Sequence, residues 1–226
     1  MASTPAGESE QPEDREPRDW WEWHQPYEDP DSRLSRRLRI VQRLLGEAIE
    51  TTPGPLTIVS MCAGQGRDVT GVLAEHPRRD EITATLVELD PRNAAFAREA
   101  IERIGLERVR VIEGDAALTD TYEGAVPAQI VLACGIFGNI TGDDIRRTID
   151  CLPMLCAPRA TVLWTRGGTA QHDVARDIRG WFNERGFDEL AYESSPDEDR
   201  FRVGAHRLVA PPRPLERGVR MFTFFR

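Results

Sequence analysis

Apolar positions in this chain follow two rhythms that take turns. Short runs at 56–61, 82–88, 108–112, 129–133 and 161–164 are rich in Val, Ile, Leu and Thr, and their length predicts buried strands. Between them the apolar residues fall at helical spacing. The stretch 91–104 opens with Pro91 in its first turn, carries Ala97, Ala100, Ile101 and Ile104 on one stripe, and stops at Gly105. Helices are likewise predicted over 67–75 (halted near Pro77), over 143–152 (Ile145, Ile149, Leu152) and over 172–183 (Val174, Ile178, Trp181, Phe182). Ahead of the first strand, Leu34, Leu38, Val41 and Leu45 mark an amphipathic helix with Asp31 or Ser32 as N-cap, ended by Thr51-Thr52-Pro53-Gly54-Pro55. Strand-helix alternation predicts right-handed βαβ units and a mostly parallel sheet covered on both faces. The chain closes differently, with strands predicted over 187–192 and 220–225, and 201–209 as a strand or a docked loop. That ending calls for an antiparallel strand at one edge.

Charge is unevenly spread. Residues 1–31 hold ten acids and two arginines, a net −8, so the remaining 28 acids and 27 bases leave only −1 of the total −9 for residues 32–226. The near-neutral body lacks the basic footprint that tight nucleic-acid binding needs. All 29 basic residues are arginine. Without lysine, Schiff-base catalysis, lysine-anchored pyridoxal phosphate and a P-loop lysine are excluded. Cys62, Cys134, Cys151 and Cys156 lie on apolar stretches with no C-x-x-C pair, which reads as small buried hydrophobes in a reducing compartment; no disulfide and no metal site is expected. No apolar run approaches the ~20 residues of a membrane span, and no secretory signal pattern opens the chain. The expected location is the cytoplasm. Residues 1–18 read as a disordered acidic leader, 19–55 as a front segment with its helix, and 56–226 as the main domain.

The chemistry concentrates at strand ends. Leu56-Thr57-Ile58-Val59-Ser60-Met61-Cys62-Ala63-Gly64-Gln65-Gly66-Arg67-Asp68 is a buried strand, a small-residue turn and a helix start. Gly64 and Gly66 allow a ligand close to the backbone, at the place where open α/β sheets bind ligands. A dinucleotide fingerprint would need Gly or Ala at position 69, where this chain has Val69. The second strand ends in Glu88-Leu89-Asp90-Pro91, with Glu88 placed to grip a diol and Asp90 suited to cap the next helix. The third ends in Glu113-Gly114-Asp115-Ala116, and the fourth runs into Cys134-Gly135-Ile136-Phe137-Gly138-Asn139.

Together these four strand ends resemble class I S-adenosylmethionine-dependent methyltransferases, by motif over roughly 56–166 and by element order over 30–226. The resemblance implies a seven-stranded, mostly parallel, doubly wound α/β sheet and S-adenosyl-L-methionine as cofactor. It implies that Ala63, Gly64 and Gly66 wrap the methionine part, with Asp68 or the front segment standing in for a missing acid, and that Glu88 with Leu89 meets the ribose, Asp90 being the second choice. Asp115 and Ala116 correspond to the adenine contacts, and Cys134, Gly135 and Phe137 to the loop over the cofactor. The chain departs from the family at Ser60, where an acid is common, at Cys62, where a glycine is common, and at Gln129, where an Asp is common.

The cluster Trp20-Trp21-x-Trp23-His24-x-x-Tyr27 reads either as a strap on the sheet edge or as an aromatic lid that excludes water from a sulfonium. His24 and Tyr27 are proton-handling candidates, with His206 a rival, and Asn139, Trp164 and Arg166 lie at strand ends where an acceptor would sit; His76 and His172 read as surface or cap residues. No Asn-Pro-Pro-Tyr-type signature follows the fourth strand, where Gly138-Asn139-Ile140-Thr141 stands instead. This points to a small-molecule N or O acceptor. RNA or protein methylation, and non-catalytic cofactor binding, are the alternatives. The arginine-only, alanine-rich composition resembles that of high-GC actinobacterial proteins.

Overall fold

The computed structural model describes residues 18–167, 174–195 and 201–225. The expected leader apart from Arg18, and the first residues of the helix predicted from 172, His172 among them, lie outside these. Seven strands form one sheet: β1 (Leu56–Ser60), β2 (Ile82–Glu88), β3 (Val109–Glu113), β4 (Ala128–Ala133), β5 (Cys156–Gly167), β6 (Phe187–Ser194) and β7 (Phe201–Leu208). Their order across the sheet is β3-β2-β1-β4-β5-β7-β6. The first five run parallel, and β7 enters antiparallel between β5 and the edge strand β6. The antiparallel ending expected from the sequence is therefore a β6–β7 hairpin, and 201–208 is a strand.

Residues 220–225 form no strand of the sheet. They make a single bridge, Leu118 to Arg220, and then lie as an extended tail that buries Met221 and Phe222. Alternating apolar positions describe a half-buried extended segment equally well.

Helices cover both faces. The front segment contributes α1 (Trp20–Trp23), a short 3-10 turn (Gln25–Glu28) and α2 (Arg33–Thr51), capped by the Ser32 hydroxyl on the Ser35 amide at 3.1 Å. Next come α3 (Arg67–Leu73), α4 (Pro91–Ile104), α5 (Gly142–Cys151) and α6 (Ala175–Glu184). Asp90 caps α4 and Gly105 ends it at φ +72°. Helices α2, α3 and α4 pack on the sheet face that carries Ile58, Leu86 and Ile130. Helices α5 and α6, with the tail, cover the opposite face, which carries Val59, Val87 and Val131. Neighbouring residues of one strand serve opposite cores, which is why these strands read as unbroken apolar runs. No helix among the described residues is long and apolar enough to cross a membrane. Because β1 lies between β2 and β4, chain direction diverges there and opens a crevice at the strands' carboxyl ends.

Candidate active site

The turn after β1 is built on left-handed backbone. Gly64 takes φ +56° and Gly66 φ +68°, and Cys62 takes φ +48° without being glycine. That conformation costs an L residue about 1–2 kcal/mol. A cysteine thus stands in the geometry that the family pattern fills with glycine. The turn is fastened to β2: Ala63 N donates to Val87 O at 2.8 Å and Gly64 N donates to Glu88 Oε2 at 2.7 Å. Glu88 Oε1 accepts from Asp90 N at 2.8 Å. Burial raises the Glu88 carboxyl above its ordinary pKa, and these backbone donors pull the other way.

A cavity of about 540 Å³ opens over this turn. Its floor and walls take in Ala63, Gly64, Asp68, Glu88, Leu89, Asp115, Ala116, Cys134 and Gly135, all singled out from the sequence. Asp68 is buried at the start of α3, and desolvation lifts its carboxyl to about 6. Asp115 Oδ1 accepts from Ala117 N at 2.9 Å, and its Oδ2 accepts from Arg220 at 3.0 Å. Gly135 N is held by Thr165 Oγ1 at 2.8 Å. Burial pushes the Cys134 thiol far up, which leaves it protonated and inert as a nucleophile.

The front segment forms the cavity's other side, through Trp20, Trp23, His24 and Tyr27. Asp19 caps α1 and accepts from Arg92 at 2.9 Å, while Glu28 pairs with Arg67 at 2.6 Å. Trp21 turns away and packs on Phe96. His24 is 9% exposed. Its Nδ1 lies 2.6 Å from Trp20 O, which can only accept, so the ring proton sits on Nδ1 and Nε2 keeps its lone pair. Nε2 faces the glycine turn, for a Cβ on Gly64 would lie 2.2 Å from it. Desolvation lowers the His24 pKa, so the ring is neutral at pH 7.

Other residues singled out from the sequence lie elsewhere. A Cβ on Gly66 would come within 2.9 Å of Leu86 Cδ1, so this glycine serves packing of the turn on β2. Phe137 is fully buried against Trp164 in the core. Asn139 ties its own loop, donating to Gly135 O at 2.7 Å and accepting from Arg18 at 2.7 Å. His206 is 1% exposed on β7, stacked on Phe182 at 4.3 Å and accepting from Trp164 Nε1 at 3.1 Å. Its side chain faces α6, across the sheet from α2, and burial depresses its pKa to about 4. Conversely, the cavity is also lined by Arg37, Leu38 and Val41 of α2, by Gln65, Asn93 and Thr165, and by Phe222 and Phe224 of the tail. Arg37 follows Leu34 by three and precedes Val41 by four, so helical spacing alone placed a charge on the buried face.

No protein-family model matches the sequence, and no curated protein matches it. Solved structures do. An O-methyltransferase family protein of Burkholderia thailandensis superposes with a TM-score of 0.60 at 18% identity, over 79% of this chain and 57% of that one. Magnesium protoporphyrin IX methyltransferase of Synechocystis, solved with S-adenosylmethionine, gives 0.63 at 14% identity over 82% and 89% of the two chains. The 1,6-didemethyltoxoflavin-N1-methyltransferase of Burkholderia thailandensis, solved with 1,6-didemethyltoxoflavin and S-adenosylhomocysteine, gives 0.61 at 16% over 84% and 87%. The chain has the fold of class I S-adenosylmethionine-dependent methyltransferases. Its own residues fit such a cofactor: acids end β2 and follow β3 at the cavity wall, and Asn93, also at that wall, is fully buried with neither side-chain polar atom partnered.

Proposed function

We propose that this protein is an S-adenosylmethionine-dependent methyltransferase acting on a small-molecule N or O acceptor. The observation that carries this is convergence: the Gly64 turn, Glu88, Asp115 and the Cys134–Gly135 corner all meet at one cavity beneath an aromatic cover. In this reading Glu88 takes the ribose hydroxyls, Asp115 the adenine amino group, and Asp68 the ammonium. Bound, the cofactor supplies a sulfonium methyl open to attack by a lone pair in line with the carbon–sulfur bond.

The chain's residues do the rest. Trp20, Trp23 and Tyr27 exclude water and present ring faces, which suit positive charge. Positioning the acceptor at attack distance supplies most of the rate. His24, neutral with its Nε2 lone pair toward the turn, takes the proton of an O–H or N–H nucleophile. The near-neutral body and the compact cavity favour a small acceptor over RNA.

Calorimetry with S-adenosylmethionine and S-adenosylhomocysteine tests the reading, followed by transfer of labelled methyl to a metabolite panel. Saturable binding of both with transfer to a small molecule is expected. Heat for neither ligand would remove the proposal.

A further inference from the structure

Arg37 is a buried cation with little to hold it. It sits on the inner face of α2, is 8% exposed and lines the cavity. Its guanidinium carbon lies 5.6 Å over the Trp23 ring, and Nη2 reaches Tyr27 Oη only at 3.4 Å. Among the described residues no carboxylate pairs with it, whereas Arg43, Arg67, Arg78, Arg92, Arg147 and others each hold an acid. A buried guanidinium is costly without an anion, and its planar fork matches a carboxylate. The acid that acts on it electrostatically is Asp68, in the same cavity but beyond ion-pair contact. One cation and one anion set apart in a shared pocket suit a zwitterion.

We propose that Arg37 is the carboxylate-binding residue of this cavity. Two carboxylates could meet it: that of the cofactor's methionine end, whose ammonium would then turn to Asp68, or one carried by the acceptor. Either way Trp23 and Tyr27 touch the residue that binds the anion, so a bound carboxylate braces the front segment. The assignment rests on the methyltransferase reading above.

The test compares S-adenosylhomocysteine with 5′-methylthioadenosine, which keeps the nucleoside and lacks the amino-acid end. Affinities are measured by calorimetry on the full chain, for wild type, Arg37→Gln and Arg37→Lys. Charge-assisted hydrogen bonds of this kind predict a loss of about 10- to 100-fold for S-adenosylhomocysteine in Arg37→Gln, none for methylthioadenosine, and partial recovery in Arg37→Lys. This pattern assigns the cofactor's carboxylate. The second arm titrates benzoate into each protein loaded with S-adenosylhomocysteine. Unchanged nucleoside and cofactor affinities with benzoate binding lost in Arg37→Gln assign a carboxylate on the acceptor. An equal loss for both adenosyl ligands overturns the proposal, since it marks a structural role. So does the absence of any change in either arm. If wild type binds neither adenosyl ligand, the methyltransferase reading fails, and benzoate binding to the unloaded proteins decides Arg37 by itself.

Discussion

Replacing Gly64 by alanine tests whether the front segment and the glycine turn are interlocked. The added methyl would lie 2.2 Å from Nε2 and 2.9 Å from Cε1 of His24, far inside contact distance. His24 cannot slide aside, because its Nδ1 is held by Trp20 O and the ring is buried. Two costs therefore add. A side chain at φ +56° costs about 1–2 kcal/mol. Expelling the imidazole loses one hydrogen bond and its packing, together about 2 kcal/mol. The sum is about 3–4 kcal/mol, or roughly 10 °C of melting temperature for a chain this long. In a His24→Ala background only the backbone cost remains. Urea melts of the four proteins should give a coupling of about 2 kcal/mol between positions 64 and 24. An equal effect of Gly64→Ala in both backgrounds would refute the interlock.

Glu88→Ala removes a carboxylate that satisfies two backbone amides and, in the proposed reading, the ribose. Affinity for S-adenosylhomocysteine should fall about 30- to 100-fold in calorimetry; unchanged affinity would count against the assignment. Asp68, with a pKa of about 6, is partly protonated below neutrality, and an ammonium favours its charged form. Cofactor affinity should accordingly rise about tenfold from pH 5 to 7 and lose that slope in Asp68→Asn. His206 takes a proton at about 4 when folded but near 6.5 when unfolded. Its contribution to stability is complete above pH 6.5 and falls away as pH drops toward 4, by about 3 kcal/mol. A difference in urea stability between wild type and His206→Phe that does not change with pH would rule this out.

The strand ends were legible because their chemistry is local. A glycine turn, an acid and a proline follow each other within a few residues of a run that can only be a buried strand. The caps are legible for the same reason: Asp90 reads as one directly, and of the two candidates Asp31 and Ser32 it is Ser32 that caps α2. What stayed hidden depends on pairing between distant segments. His206 looked like a site residue until the register with Val162 placed it mid-strand, facing α6. The alternation in 220–225 was real, but no neighbouring strand receives it beyond one bridge to Leu118. Arg36, Arg37 and Arg39 together read as a solvated arginine cluster, as a run of like charges usually is, but the helical phase shared with Leu34 and Val41 turns Arg37 inward and buries it. Asn93 gave no signal, since an asparagine early in a helix after Pro91 is ordinary.

If the front segment covers the cavity as proposed, its ion pairs bear on traffic through it. Asp19 on Arg92 and Glu28 on Arg67 are arginine–carboxylate pairs in which three of the four side chains are 40% or more exposed. Ions in solution reach such pairs and weaken them, whereas the ring contacts of Trp20 and Trp23 inside are indifferent to salt. In the proposed reading, in which the front segment covers the cavity, that segment is held by water-facing charge outside and by apolar surface within. Raising ionic strength weakens those outer pairs and leaves the apolar contacts as the main hold, so ligand entry and exit rates should quicken with salt while the sheet beneath stays unmoved.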